Sequence, residues 1–371
     1  MNRHLHIVCL NVPYPPDYGG VFDLFYKIKT LHNKGVLIHL HCFDYGRGQH
    51  TELENYCVEV KYYRRKTGLA GLSFRLPYIV SSRANTELLQ NLQSDNHPIL
   101  LEGIHCCYFL YTGDLDNRRV FIRLHNVEFE YYRNLAKATT SFRKLFFLRE
   151  SRLLKTFERK VSSKAPVLAV TEKDASLYEK YFNAKDTRVL PIFIPWSMVN
   201  SHTGPGAYCL YHGNLAVPEN EKAALWIIKI MGGRTLLPLI IAGHQPSSTL
   251  QQLAAAKNVQ VVADPSMKKM EELISGAHIN ILPSFNNTGI KIKLLNALFN
   301  GRHCVVNNLA DEGSGLEALS HHANSEEEFR NAVHSLVIEP FSSTEKLARA
   351  GVLEKLYNNE GNADQLIAWL Y

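Results

Sequence analysis

An alternation constrains this chain more than any other feature. Short apolar runs of strand length are followed repeatedly by segments of helical periodicity. In the first half Leu5–Leu10, Val36–Phe43, Cys57–Val60, Ile99–Glu102, Val120–Leu124, Val167–Val170 and Arg188–Pro191 read as strands. Helical patterns run from Val21 to about Lys34, over Thr86–Leu92, and onward from near Thr171. Pro195–Gly206 is rich in Pro, Ser and Gly and poor in apolar residues, so it reads as a linker. The alternation then restarts. Strands Tyr208–Tyr211, Leu237–Ala242, Val259–Val262, Ile279–Leu282 and His303–Asn307 interleave with helices Glu221–Met231, Ser248–Ala255, Lys268–Ile274 and Ile290–Phe299. Ser325–Leu336, Thr344–Tyr357 and Ala363–Tyr371 read as closing helices. Strands alternating with helices predict an α/β fold, with a parallel sheet covered on both faces. Here the pattern occurs twice. We expect two doubly wound domains facing across a cleft. They span residues 1–195 and 207–355, joined by 196–206, with 356–371 as a closing helix that crosses back to the first domain.

Length agrees, since 371 residues suffice for two domains of about 100–200 each. Charge is uneven: residues 1–200 hold 28 Lys/Arg against 19 Asp/Glu, and residues 201–371 hold 13 against 16. The seven cysteines include no C-x-x-C pair, which fits a reduced, cytoplasmic chain. The first apolar run, His6–Val12, stops at Pro13, too short for a secretory signal. No segment approaches the ~18–20 apolar residues that span a bilayer. A membrane, if involved, is met from its surface.

Several loops stand where a doubly wound sheet binds ligands. Asn11–Gly20 (NVPYPPDYGG) lies between the first strand and the first helix. Gly19 and Gly20 let a backbone approach an anion at a helix N-terminus, although a plain turn explains them as well. Neither a G-x-G-x-x-G fingerprint nor a P-loop is present. His125 follows Val120–Leu124 at a strand end, where an imidazole can meet a sugar hydroxyl or developing charge; Asn126 can cap the next helix. Asp114-Leu115-Asp116 has the D-x-D spacing of a metal clamp, but it precedes a strand and reads as a solvated turn. His4/His6 and His39/His41 share strand faces and read as packed or rim histidines rather than a zinc site. Leu282–Gly301 (LPSFNNTGIKIKLLNALFNG) runs from a strand through a polar loop into a helix expected to open at Gly289. Its first amides, with Lys291 and Lys293, suit a phosphate. Thr288 and Asn296 stand about two turns apart and suit one edge of a nucleotide pocket.

Two basic segments account for most of the charge excess. Lys137–Lys164 carries nine Lys/Arg against Glu150 and Glu158, interleaved with Phe142, Leu145, Phe146, Leu153, Leu154 and Phe157. Lys61–Lys66 (KYYRRK), with Arg75 and Arg83, makes a second patch. An anionic membrane surface and a solvated face are equal readings of both. Nucleic acid is not expected, because no recognition motif accompanies the charge.

Taken in order, these pieces resemble a GT-B-fold glycosyltransferase of the group 1, family 4 type, a divergent bacterial subfamily, over nearly the whole chain. The pieces are PYPPDYGG (Pro13–Gly20), RLHNVEFEYY (Arg123–Tyr132), AVTEKD (Ala169–Asp174), YHGNLAVPEN (Tyr211–Asn220), LIIAGH (Leu239–His244) and Leu282–Gly301. The resemblance implies two Rossmann-like domains, the first taking an acceptor and the second a nucleotide-sugar donor. By it, Gly19 and Gly20 meet the diphosphate, His125 is the catalytic histidine near the transferred sugar, and Gly213 and Asn214 lie by the phosphates. Thr288 and Asn296 occupy the two positions of the family's Glu-seven-residues-Glu motif, with Gly289, Ile290, Lys291 and Lys293 beside them. Both glutamates are therefore absent, as is the family's Arg/Lys pair after the donor-domain glycine. Lys222, Lys291 or Lys293 would compensate.

The implied function is transfer of a hexose, mannosyl or glucosyl, from a nucleotide-diphosphate sugar to a glycan or lipid-linked acceptor in surface polysaccharide synthesis. The resemblance implies retention at the anomeric carbon, no cofactor and no metal, with helix N-termini and lysines stabilising the departing diphosphate. The expected location is cytoplasmic, at the inner face of the membrane. Two other readings stay open: a non-catalytic GT-B subunit that binds a nucleotide or a protein partner, and a peripheral membrane-binding protein.

Overall fold

A computed structural model describes residues 3–17, 19–44, 46–138, 142–286 and 289–371. The chain forms two units, Met1–Pro195 with Tyr357–Tyr371, and Trp196–Leu356. The first sheet contains β1 (Arg3–Cys9), β2 (Val36–Asp44), β3 (Glu59–Arg64), β4 (Ile99–Glu102), β5 (Val120–Arg123), β6 (Val167–Ala169) and β7 (Thr187–Val189). Their order is β3-β2-β1-β4-β5-β6-β7 and every pairing is parallel. Order reverses between β1 and β4, which makes that pair the topological switch point.

The central strands are apolar without alternation because helices cover both faces. All four residues of β4 and of β5 are buried, including the charged last residue of each, Glu102 and Arg123. One face packs on the helix Gly19–Asn33, whose Leu24, Phe25, Ile28 and Leu31 recur at helical spacing. The closing helix Asn359–Leu370 adds Ala363, Leu366, Ile367 and Leu370 to the same cluster. Its first residue, Asn359, bonds both the amide and the carbonyl of Ile194 through its side chain, and Lys34 pairs with Glu360 and Asp364. The opposite face packs on the helices Thr86–Gln93, Arg143–Ser162 and Glu172–Phe182 through Leu88, Leu154, Phe157 and Tyr178.

The second sheet contains β8 (Cys209–Asn214), β9 (Leu239–His244), β10 (Gln260–Ala263), β11 (Ile279–Ile281), β12 (His303–Val306) and β13 (His321–His322). The order is β10-β9-β8-β11-β12-β13, again all parallel, with its switch point between β8 and β11. At the carboxyl end of β9, a Cβ on Gly243 would lie 1.9 Å from the Gly213 carbonyl oxygen, so only glycine permits this pairing. Residues 196–206 pack on this unit: Trp196 stacks on Phe299, and Gly204 bridges to Phe341.

Three expectations change. The third strand starts at Glu59 rather than Cys57, because Cys57 and Val58 lie outside the ladder with β2. Arg83 is not part of a surface patch. It is 2% exposed and donates to the carbonyls of Leu10 and Ile79. Part of the basic segment packs as a core helix, as the place of Phe157 before the next strand implies, but its acidic residues are not solvated. Leu154, Phe157 and Val161 are core, while Phe142 and Leu145 stand in solvent, and both Glu150 and Glu158 are buried. Glu158 accepts from the amides of Glu128 and Phe129, the capping role that the sequence offers to Asn126. Burial pushes the Glu158 carboxyl up to about 8. Asp114 and Asp116 form the expected turn, tied to Thr112 and Lys164 rather than placed at a strand end.

Candidate active site

In the first unit, the helix Gly19–Asn33 begins directly on Gly19 and Gly20, so their amides are among its unpaired first donors. The loop before them is held by Arg47, which donates to the Pro15 carbonyl and pairs with Asp17 at 2.9 Å. One turn into the helix, Asp23 is 1% exposed. Its Oδ2 accepts from Lys27 Nζ (3.3 Å) and from Arg123 Nη2 (3.2 Å), and its Oδ1 accepts from the Phe193 amide (2.7 Å). Glu102, at the end of β4, accepts from Lys27 at 2.7 Å. Arg123, at the end of β5, also donates to the carbonyls of Ala169, Leu190 and Pro191. Two carboxylates and two cations thus neutralise one another inside the unit, the condition under which buried charge is tolerated. Burial alone would raise both carboxyl groups. Lys27 outweighs it, together with Arg123 at Asp23 and His125 at Glu102, and holds both below the ordinary range.

His125 stands against this cluster. Its Nε2 lies 3.1 Å from Glu102 Oε2, out of line for a full hydrogen bond, and its Nδ1 lies 3.8 Å from Asp23 Oδ2. It remains 11% exposed. Two carboxylates on one side orient the ring. Asp23, Glu102 and His125 bring three ligand atoms within 4.8 Å, but Lys27 and Arg123 already balance the charge of the two carboxylates, so the set needs no metal to be neutral.

In the second unit, Gly213 and Asn214 end β8 at the switch point. A Cβ at Gly213 would only touch the Asn220 amide at 3.5 Å. Asn220, in the helix Pro218–Met231, donates to the Asn214 carbonyl at 2.9 Å, and Tyr211 Oη donates to the Asn220 carbonyl at 2.8 Å. Lys293 joins this group, donating to Asn220 Oδ1 at 3.0 Å and Tyr211 Oη at 3.2 Å. Burial brings its ammonium down to about 8, with Glu219 opposing and Lys291 adding to the fall.

After β11, Ser284 and Asn307 hold the polar loop by a reciprocal pair: Ser284 N donates to Asn307 Oδ1 (2.8 Å) and Asn307 Nδ2 to the Ser284 carbonyl (2.7 Å). Gly289 does not open the helix. It adopts φ +64 in the loop, Ile290 is still irregular, and the helix is Ile292–Asn300 with Lys291 as its N-cap. Thr288 lies outside the described residues. Lys293, Asn296 and Asn300 share one helix face at spacings of three and four. Asn296 Oδ1 accepts from Asn300 Nδ2 at 2.9 Å. The fold thus brings Gly213, Asn214 and Lys293 into one network, and places Asn296 one turn further along the same stripe.

Sequence reasoning missed the supports of His125. Glu102 and Arg123 each end an apolar strand, and Asp23 and Lys27 are four apart on a helix. Charged residues at the ends of buried strands were the available signal. It also passed over His212, which is 3% exposed, with Nε2 unpartnered among the described residues and the imidazole pulled down to about 3 by burial.

Comparisons with known proteins agree with this fold. A family model described as "Glycosyl transferases group 1" matches residues 206–339. A Klebsiella pneumoniae protein described as an uncharacterized 44.6 kDa protein in the cps region is 24% identical over 330 residues, covering 83% of this chain and 84% of its own. Among solved structures, a mutant of S. aureus TarM in complex with Fondaparinux, alpha-GlcNAc-glycerol and UDP aligns with TM-score 0.66 at 10% identity, covering 99% of both chains. The alpha,alpha-trehalose-phosphate synthase (UDP-forming) of Burkholderia xenovorans aligns with TM-score 0.61 at 10% identity over 100% of both. Two parallel sheets, each with its polar residues at a switch point, have the GT-B fold, and residues 206–339 match the model of the glycosyl transferases of group 1.

Proposed function

We propose that this glycosyltransferase moves a hexose from a nucleoside diphosphate sugar to a glycan or lipid-linked acceptor in surface polysaccharide synthesis, with retention at the anomeric carbon. The observation that carries the donor reading is the network at the second switch point. Lys293 keeps a cation beside Gly213 and, among the described residues, bonds to the neutral oxygens of Tyr211 and Asn220. The fold does not require glycine at 213, so the missing Cβ leaves room for a ligand. The cps-region relative supports the polysaccharide assignment.

In the proposed reaction, the bond between the anomeric carbon and the leaving phosphate oxygen breaks. The acceptor oxygen bonds to that carbon on the same face, and its proton passes to the departing phosphate. Lys293, with the helix start near Lys291, stabilises charge on the diphosphate. His125 orients the sugar and is not a nucleophile. Acceptor-dependent release of nucleoside diphosphate, measured with UDP- and GDP-sugars and an acceptor extract, tests the reading. His125→Ala is expected to lower turnover by about a hundredfold while nucleotide affinity stays nearly unchanged. No release from any donor would reject the enzyme reading, and equal loss of turnover and affinity would make His125 structural.

We also propose that the first unit meets an anionic membrane. No helix among the described residues is long and apolar enough to cross one. Phe74 and Phe142 are 97% and 94% exposed, with Leu69, Leu72, Leu145 and Phe146 also in solvent. The two segments are tied by Arg149, which donates to the Ser73 carbonyl, and by Glu150, which accepts from the Tyr78 amide at 2.6 Å. Exposed Lys66, Arg75, Arg143 and Lys144 accompany them. Apolar tips set among cations suit insertion between anionic headgroups. Co-sedimentation is expected with phosphatidylcholine vesicles only when phosphatidylglycerol is included, and Phe142→Glu should weaken it severalfold. Binding indifferent to both changes would remove the membrane.

A further inference from the structure

We propose that the second unit carries a tetrahedral transition-metal site, for Zn2+ or a similar ion, made by His303, His321 and Glu345. His303 opens β12, His321 opens the edge strand β13, and Glu345 stands in the first turn of the helix Ser343–Leu356. The candidate donor residues follow β8 and β11, whereas His303 lies at the amino end of its strand, so the two sites are distinct.

Three observations converge on it. The first is separation. His303 Nδ1 lies 3.3 Å from His321 Nε2 and 3.4 Å from Glu345 Oε1. Ligands at about 2.0–2.1 Å around a tetrahedral ion stand roughly 3.3–3.4 Å apart. The second is tautomer. His303 is 1% exposed, and its Nε2 lies 2.9 Å from the Glu339 carbonyl, which can only accept. Nε2 therefore carries the hydrogen, and Nδ1 presents its lone pair toward the other two ligand atoms. The third is carboxylate orientation. Glu345 Oε2 accepts from Ser342 N (2.9 Å) and Ser342 Oγ (2.8 Å), which leaves Oε1 aimed at His303.

Without a cation, a lone pair and a carboxylate oxygen face each other across 3.4 Å. A hydrogen from His321 Nε2 can satisfy His303 Nδ1 but not the carboxylate as well. A metal ion satisfies all three, and water completes the fourth position. Arg349 is the nearby opposing charge. Its guanidinium is spent on the carbonyls of Leu298, Gly301 and Arg302 and lies over the Phe341 ring. His321 and Glu345 are only partly buried, which gives an ion a way in. Bound there, the metal would clip the edge strand to the helix Ser343–Leu356.

The test is Zn2+ titration of the full chain by calorimetry, with Co2+ absorption reporting geometry. We expect one equivalent bound, four-coordinate Co2+ bands and a raised unfolding temperature. His321→Ala and Glu345→Gln should each weaken affinity at least tenfold. Glu345→Gln keeps the helix cap, since Gln serves in a capping box. His4, His39 and His97 also bring nitrogen atoms within 4.8 Å of one another, so His97→Ala is the control. Loss of binding in His97→Ala alone, or unchanged affinity in both site variants, would overturn the assignment.

Discussion

At the switch point of the first sheet, two carboxylates, a lysine and an arginine neutralise one another out of water, and His125 stands against them. At the corresponding place in the second sheet, Lys293 bonds to an amide oxygen and a phenol oxygen, and no carboxylate closes on it among the described residues. The contrast separates two jobs that charged groups do at strand ends. A saturated ion cluster has no charge left for a ligand, and its value is rigidity: it fixes the ring that leans on it. A cation held by neutral oxygens is also positioned, but its charge stays available to an anion.

Unbalancing the first cluster has the largest expected effect. Asp23→Ala leaves Arg123 buried without its carboxylate and removes one of two partners from Lys27. We expect a loss of about 3–5 kcal/mol, the usual consequence of deleting one side of a buried pair. Urea unfolding should show a lower midpoint with an unchanged slope. A loss under about 1 kcal/mol would mean that water or carbonyl groups already carry these charges.

Much of the fold could be read before the structure, and the reason shows in particular residues. The LHIVCL and VFIRL runs are apolar throughout because both faces of a parallel sheet are covered, and such runs stand out against polar loops. His125 and Lys293 were visible by position, after strands in an α/β alternation, and Gly213 through the family resemblance. The residues that escaped are those whose meaning depends on partners distant in sequence. Asp23 and Arg123 are one hundred positions apart yet share an ion pair. Arg83 counts as surface charge in any composition argument, but it is spent on the carbonyls of Leu10 and Ile79. The Ile292 helix start escaped for a local reason. Glycine before an apolar run signals a helix N-terminus, yet Gly289 serves a left-handed turn three residues earlier.

Lys293→Met keeps most of the side-chain volume and removes the charge. Affinity for UDP or GDP is expected to fall by about 1.5–3 kcal/mol, the range for hydrogen bonds to charged groups. Stability should hold or rise slightly, because a half-buried ammonium is replaced by an apolar chain. Calorimetric titration beside an unfolding curve reads both. If Lys293→Met destabilises the chain as strongly as Asp23→Ala, the lysine is structural and the two sites do not differ in kind.

The smallest effect is a pH profile, and it separates charge from shape. Burial holds the Lys293 ammonium down to about 8, against roughly 10.4 in an unfolded chain. The charged form is the one that attracts a diphosphate. Nucleotide affinity should therefore be level below about pH 7 and decline as the pH passes 8, because each lost proton removes the attraction. The diphosphate itself ionises near pH 6, so a decline above 8 belongs to the protein. For folding the sign is opposite. Between pH 8 and about 10 the unfolded chain holds the proton that the folded chain has released, so this residue makes stability rise with pH there. Lys293→Arg stays charged across the range and should flatten the affinity profile, even if its fork fits Asn220 less well. A wild-type affinity that stays level through pH 9 would place the diphosphate's main cation elsewhere, with Lys291 and Lys222 the next to test.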